Sequence, residues 1–439
     1  MTTSTTELRR EFRRLTWINI LSNLTVPIAG LVDTAMLGHL DDIRFLAGVA
    51  LGTILFDYVY WTFGFLRMGS TGLTAQAVGR NDREAEYGTL YRFAAIAFAA
   101  AAFVLLLQQP IRELGFSIFG GSPEVEAAGR DYFSARIWGA PATLANFVLM
   151  GWFLGRSQAR TVLAMTVVAN VANIVLNYVF ILQLGWAAAG AGYATMLSQV
   201  ASFVVAIVLF RARRDRTEPL PPIGEALQRE RFRGLFSLNR DLLIRTVLLI
   251  SVFAVFMDFS ARLGTLILAV NSILLRMLNL AAYLIDGAAF ATETLAGRLL
   301  GARDRSSLRW LTRTALLTGL GFAALCLFVY LIDAPRFLGL LTGHTDVVTE
   351  ALRYVYWLIP ALLFGSLAYL YDGLFLGWTR ARTLLWSMLF SVLVVFAPLV
   401  SWGLVRADNH LMWFGLTVFM LARAVTLAWA ARRALQQLA

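Results

Sequence analysis

Apolar residues run along this chain in twelve long blocks, each near or above the roughly 20 residues a helix needs to cross the hydrocarbon core of a bilayer. The blocks cover residues 15–37, 46–76, 88–108, 128–155, 161–183 and 187–210, then 241–263, 266–298, 310–332, 348–377, 383–404 and 411–431. Several exceed the minimum, which implies tilt or protrusion beyond the bilayer. The pattern predicts an all-α polytopic membrane protein with twelve transmembrane helices. Composition agrees: 59% of the 439 residues are hydrophobic, against about 45–50% in ordinary globular chains. Met1–Arg14 is polar and basic. The block after it is too long for a signal-peptide core and lacks a small-residue cleavage site, so it is expected to stay as a span.

The formal charge of +11 would fit a nucleic-acid binder, but its placement points elsewhere. All 38 basic residues are arginine, and 25 of them gather at the two termini and in five alternate loops, most densely between Arg211 and Arg240 and between Arg298 and Arg313. The intervening loops carry only Arg44, Arg112, Arg262, Arg336 and Arg406. Arginine favours the cytoplasmic side, so both termini are expected there and no nucleic-acid partner is.

The blocks divide six and six, and the halves share one register, a constant separation of 222 residues (Tyr132 to Tyr354). Leu46-Ala47 answers Leu268-Ala269, and Gly79-Arg80-Asn81-Asp82 answers Gly301-Ala302-Arg303-Asp304. Gly151, Gly155 and Arg160 answer Gly373, Gly377 and Arg382. Six spans separate the copies, so both have the same orientation, a parallel repeat about an axis along the membrane normal. The expected domains are an N-lobe (1–210), a cytoplasmic linker (211–240) and a C-lobe (241–439). The linker carries Pro219, Pro221 and Pro222, and its Gly224–Arg233 stretch fits either an amphipathic helix on the inner leaflet or a solvated charge run.

Charge inside the spans marks candidate chemistry. Asp33 lies inside the first block; a charge near a bilayer centre costs about 2.5–3.5 kcal/mol and so usually faces a bundle interior or aqueous cavity and handles ions or protons. Pro27, six residues earlier, removes one helix hydrogen bond and predicts a bend. In the fifth span Asn170, Asn173 and Asn177 share one face, and Thr195 lies in the sixth. These groups suit bonding to a carboxylate or oxygen ligation of a hard cation; interhelical polar glue is the other reading. The C-lobe has Asp258, Asp286, Glu293 and Asp372. Arg67 and Arg276 lie within spans and need acidic partners, so Asp286 and Asp372 read equally as counter-ions or as functional acids. Trp61, Phe65, Met68, Met150, Trp152 and Met196 fit either an adaptable apolar pocket or ordinary packing. Cys326 is the only cysteine, and His39, His344 and His410 are dispersed, so no metal site is expected. No Walker A loop or other enzyme constellation is found.

Two long motifs carry a family resemblance. Val32-Asp33-Thr34-Ala35-Met36-Leu37-Gly38-His39-Leu40 resembles the first-helix motif of the multidrug and toxic compound extrusion (MATE) transporters, and Phe65–Gly79 resembles their DinF-like branch. The resemblance implies the MATE/MOP-type fold of two six-helix lobes in a bacterial inner membrane. It implies export of small organic cationic or amphipathic compounds by proton-coupled antiport, with alternating access of the lobes. It also implies that Asp33 is protonated during transport while helix 1 changes its bend, and that Asn173, Asn177 and Thr195 map onto an N-lobe cation-site motif. Many relatives have Asp where this chain has Asn177, so one negative charge is missing, which favours H+ over Na+ as coupling ion. A lipid-linked oligosaccharide flippase and a sodium-coupled antiporter are the alternatives. No cofactor is expected, and the protein is expected to work as a monomer among membrane lipids.

Overall fold

In a computed structural model, which describes residues 5–40, 42–119, 121–214 and 220–437, the only regular secondary structure among the described residues is helix. Residues 215–219 of the expected linker, Pro219 among them, lie outside the described residues. Among the described residues, twelve helices are long and apolar enough to cross a membrane. The first six are α1 (Thr5–Gly38), α2 (Ile43–Gly79), α3 (Arg83–Leu106), α4 (Pro123–Gly155), α5 (Ala159–Gln183) and α6 (Ala187–Arg213). The other six are α7 (Gly234–Arg262), α8 (Thr265–Gly301), α9 (Arg305–Ile332), α10 (Val355–Gly377), α11 (Ala381–Val405) and α12 (Asn409–Gln437).

The ends of these helices differ from the apolar blocks where amphipathicity or proline decides. Helix α1 starts well before its block because Leu8, Phe12 and Leu15 are buried while Arg9, Arg10, Arg13 and Arg14 face outward. That is a helical period which average hydropathy does not register. At α10, Thr345–Ala351 forms a separate short helix, and the span begins with a 3-10 turn at Val355–Trp357. Pro360 then sits in the first turn of Leu358–Gly377, where no N–H is needed. The Gly224–Arg233 stretch does not make one separate helix: Ile223–Ala226 is a single turn, and a helix from Arg229 continues into α7.

The chain packs as two compact units. One is Leu21–Leu235; the other joins the chain up to Ile20 with the chain from Phe236 onward. Helix α1 is continuous through Pro27, so its first half belongs with the second repeat. The reason is local: Arg298 of α8 donates to Glu11 at 2.7 Å, and Gly287 of α8 lies so close to α1 that a Cβ there would stand 3.0 Å from the Thr16 carbonyl.

Within each unit the repeat is visible atom by atom. In the first, a Cβ at Gly151 would fall 2.4 Å from the Arg67 carbonyl oxygen, and one at Gly155 would fall 2.7 Å from that of Thr71. In the second, Gly373 and Gly377 meet the carbonyls of Ala289 and Glu293 at 2.4 and 2.3 Å. The residues touched stand at the same separation in sequence as the glycines themselves. Small residues let helix backbones approach this closely in a bilayer. The second unit's core gathers Phe256, Leu274, Leu278, Trp413 and Phe419, all buried.

Candidate functional site

Asp33 lies on the last turns of α1, in the first unit. Asn177 of α5 donates its amide to Asp33 Oδ1 at 2.6 Å. Asn173, four residues earlier on the same face, lies against the same carboxylate. With its amide nitrogen turned to Asp33 it donates at 2.8 Å to Oδ1 and 3.1 Å to Oδ2. The Thr195 hydroxyl of α6 stands 3.3 Å from the Asn173 amide and donates to the Ala191 carbonyl at 2.9 Å. A second bond, Ser22 Oγ to Thr166 Oγ1 at 2.8 Å, ties α1 to α5 three turns away and fixes their register. Asn173 and Asn177 are buried at 7% and 1% exposure, so their polar groups depend on these partners. Asn170 shares the α5 face but its amide nitrogen has no hydrogen-bond partner.

The structure brings together Asp33, Asn173, Asn177 and Thr195, the set that the family resemblance implies. Its polarity is specific: the amides offer N–H groups to the carboxylate. Two such donors stabilise its ionised form.

One further charged group belongs to this neighbourhood and also acts on a second acid. Arg136 of α4 donates to the Tyr132 hydroxyl at 2.6 Å and lies over the Phe56 ring at 4.5 Å. Its guanidinium acts electrostatically on both Asp33 and Asp57 of α2. Asp57 and Arg136 sit inside apolar blocks, so the rule that drew attention to Asp33 was available for both.

In the second unit, Asp372 of α10 accepts hydrogen bonds through one oxygen from both Arg245 of α7 and Arg423 of α12. All three are buried, at 6%, 5% and 1% exposure. These partners differ from Arg67 and Arg276, the arginines expected to need acids; Arg276 is exposed. A carboxylate held by two guanidiniums is poorly disposed to take up a further cation. Asp258 is exposed and pairs with Arg262 one turn along its own helix at 2.9 Å. Asp286 is partly buried and Glu293 fully buried on α8. Asn271 anchors a further network, unforeseen from sequence, that bonds Ser260, Asn409 and Trp413 at 2.8 to 2.9 Å.

The remaining candidates have structural surroundings. Trp152 is buried among Tyr87, Phe153 and Phe210, with Arg156 over its ring at 4.6 Å. Trp61 is exposed and Phe65 buried, while Met68, Met150 and Met196 are partly buried. His39 bonds the Ala35 carbonyl of its own helix, and His410 bonds Tyr356 and Trp357. Cys326 is buried.

A duplicated set of twelve membrane-length helices, with polar residues gathered on facing spans, is the architecture of a secondary transporter. The MatE family model matches residues 19–179 and 242–402, one copy in each repeat. The chain belongs to the MatE family of multidrug and toxic compound transporters, and it is not an enzyme. It is 38% identical over 414 residues to the DNA damage-inducible protein F of Escherichia coli, covering 94% of this chain and 90% of that one. It is 24% identical over 444 residues to the "Probable multidrug resistance protein NorM" of Photorhabdus laumondii, covering 95% and 94%. A solved MOP superfamily transporter from Pyrococcus furiosus shares the fold, with a TM-score of 0.89 at 19% identity over 100% of this chain and 99% of that one.

Proposed function

We propose that this protein is a proton-coupled antiporter that exports small organic cationic or amphipathic compounds across the inner membrane, both termini cytoplasmic, by alternating access of its two halves. The observation that carries the reading is Asp33 held by the amide N–H groups of Asn177 and Asn173. A proton taken up by Asp33 turns an acceptor oxygen into a donor and sets it against the amide donors, so α1 is released from α5. Loss of the proton restores the bonds. Pro27, which has no N–H for the helix ladder, is the point at which α1 changes its bend when this happens. Only differential affinity for two states shifts their populations, so protonation must favour the conformer that releases substrate outside.

Substrate class rests on the family and on the multidrug-resistance name of the Photorhabdus laumondii relative. Sodium is the poorer coupling ion because the N-lobe set presents N–H groups where a sodium ion needs oxygens, and because Arg136 acts on the same carboxylate.

The test is dye flux in proteoliposomes under imposed gradients. A proton gradient alone is expected to drive wild-type export, with sodium having little effect. Asp33→Asn should insert and fold, since it removes a charge from an unfavourable place, yet reduce gradient-driven flux to the leak of empty vesicles. Wild-type flux from a well-inserted Asp33→Asn protein would sink the assignment of Asp33. Movement of lipid-linked sugar in place of dye would identify a flippase instead.

A further inference from the structure

A groove of about 400 Å³ opens on the second unit between the end of α10, the start of α11 and the end of α12. It lies at the end of these helices that carries Arg380, Arg382, Arg432 and Arg433, which the arginine distribution makes cytoplasmic. Arg380 and Arg433 line it. Arg433 is held in place by its neighbour, with its guanidinium 3.5 Å from the centre of the Trp429 ring. The Ser387 and Thr426 hydroxyls, 2.7 Å apart, belong to the lining, Ser387 buried and Thr426 partly so. Trp386 and Trp429 line it as well and are 60% and 57% exposed, so the protein's own packing leaves them open.

We infer that this groove is a binding site for an anionic glycerophospholipid of the inner leaflet. The phosphate lies between Arg380 and Arg433, polar head-group atoms reach Ser387 and Thr426, and an acyl chain runs along Trp386 and Phe390. Each part answers a feature of the groove. Two guanidiniums with no carboxylate in the lining call for an anion. Hydroxyls beyond them accept a head group with its own donors and acceptors. Exposed aromatic rings continuing into the bilayer call for a tail. Basic pockets between spans on the cytoplasmic side have the charge to collect such lipids, and Trp429 pre-orients one arginine, lowering the ordering cost of binding. The inference is independent of the coupling ion and of Asp33.

The experiment is native mass spectrometry of the full-length protein in detergent, titrated with phosphatidylglycerol, phosphatidylcholine or inorganic phosphate. Wild type is expected to retain phosphatidylglycerol in preference to phosphatidylcholine, and inorganic phosphate in excess is expected not to displace it. Arg380→Gln with Arg433→Gln should weaken phosphatidylglycerol binding about thirty-fold, roughly five-fold for each arginine. Arg382→Gln with Arg432→Gln, which removes the same charge as the groove pair but lies outside the lining, should leave the affinity close to wild type, because neither side chain lines the groove that holds the phosphate. Ala430→Trp, which fills the groove with both arginines in place, should also exclude the lipid and keeps the test open if the double variant folds poorly. Equal phosphatidylglycerol affinity in the groove variants and wild type would overturn the inference. So would equal affinity for phosphatidylcholine, or displacement by inorganic phosphate, which would mark a free-anion site.

Discussion

Asn177 is the residue on which ion choice turns. Its side chain lies 1% exposed and donates to Asp33 at 2.6 Å; an aspartate there would bring a second negative charge into the same contact. Unit charges 4 Å apart interact by about 4 kcal/mol at an effective dielectric of 20. Two carboxylates so placed repel each other and gain correspondingly from a cation between them. Asn177→Asp is therefore expected to raise sodium-driven dye flux in proteoliposomes at zero proton gradient above the wild-type level. No sodium response would show that Arg136 or the backbone geometry excludes the ion regardless of charge at position 177. The Asp372 site is the contrasting case: a buried acid already neutralised by Arg245 and Arg423 serves best as a fixed tie between α7, α10 and α12.

At the scale of elements, the duplication extends to backbone conformations that apolar pattern does not reveal. Asn81 and Arg303 both adopt left-handed φ, at 53° and 58°, and Ser157 and Thr379 do the same, at 59° and 53°. Each pair stands at the repeat separation, so the same tight turn follows the same helix in both halves. The helix starts agree too: Asp82 accepts from the Ala85 N–H at 2.9 Å and Asp304 from that of Ser307 at 3.1 Å. Burial pushes the Asp304 carboxyl up, but hydrogen bonds from Ser307 and Ser306 outweigh it and hold it below the ordinary 3.8. The stabilisation is thus present in full above that value and is lost as pH falls through the lowered folded one. Asp304→Ala should cost about 1 kcal/mol at neutral pH, and the difference in thermal midpoint from wild type should vanish in acid. The glycine contacts predict a larger effect. Gly373→Ala puts a methyl against the Ala289 carbonyl oxygen at 2.4 Å, so α8 and α10 must separate. A loss of about 1–3 kcal/mol is expected from such overpacking, read as a lowered midpoint in detergent, and an unchanged midpoint would show that the helices part without cost.

For the molecule as a whole, the arginine distribution predicts the side of every loop. Ser237, at the start of α7, should be cytoplasmic, and Ser122, which caps α4 through Val125, should be on the opposite side. Single cysteines at these positions in a Cys326→Ala background should label with an impermeant maleimide from opposite faces of oriented vesicles. Labelling of both from one face would overturn the topology. Both positions are exposed, so failure to react would reflect sidedness rather than burial.

The family resemblance implied the Asp33–Asn173–Asn177–Thr195 set, while the sequence's own pattern determined the twelve spans, the duplication and the shared face of Asn170, Asn173 and Asn177. Each rests on a regularity that one dimension preserves: hydropathy over a bilayer's thickness, a constant repeat separation, and a spacing that puts residues on one helix face. It did not determine the start of α1, because burying Leu8, Phe12 and Leu15 beneath four arginines needs a helical period that average hydropathy cancels. Nor did it reveal the partners of Asp372, since an acid in one span can meet any arginine of its lobe until the packing selects Arg245 and Arg423. Arg136 was legible as a charge within a span but not as a group acting on Asp33. Only the packing of α1, α2, α4 and α5 within one unit decided that, because Coulomb interaction depends on distance through space and not along the chain.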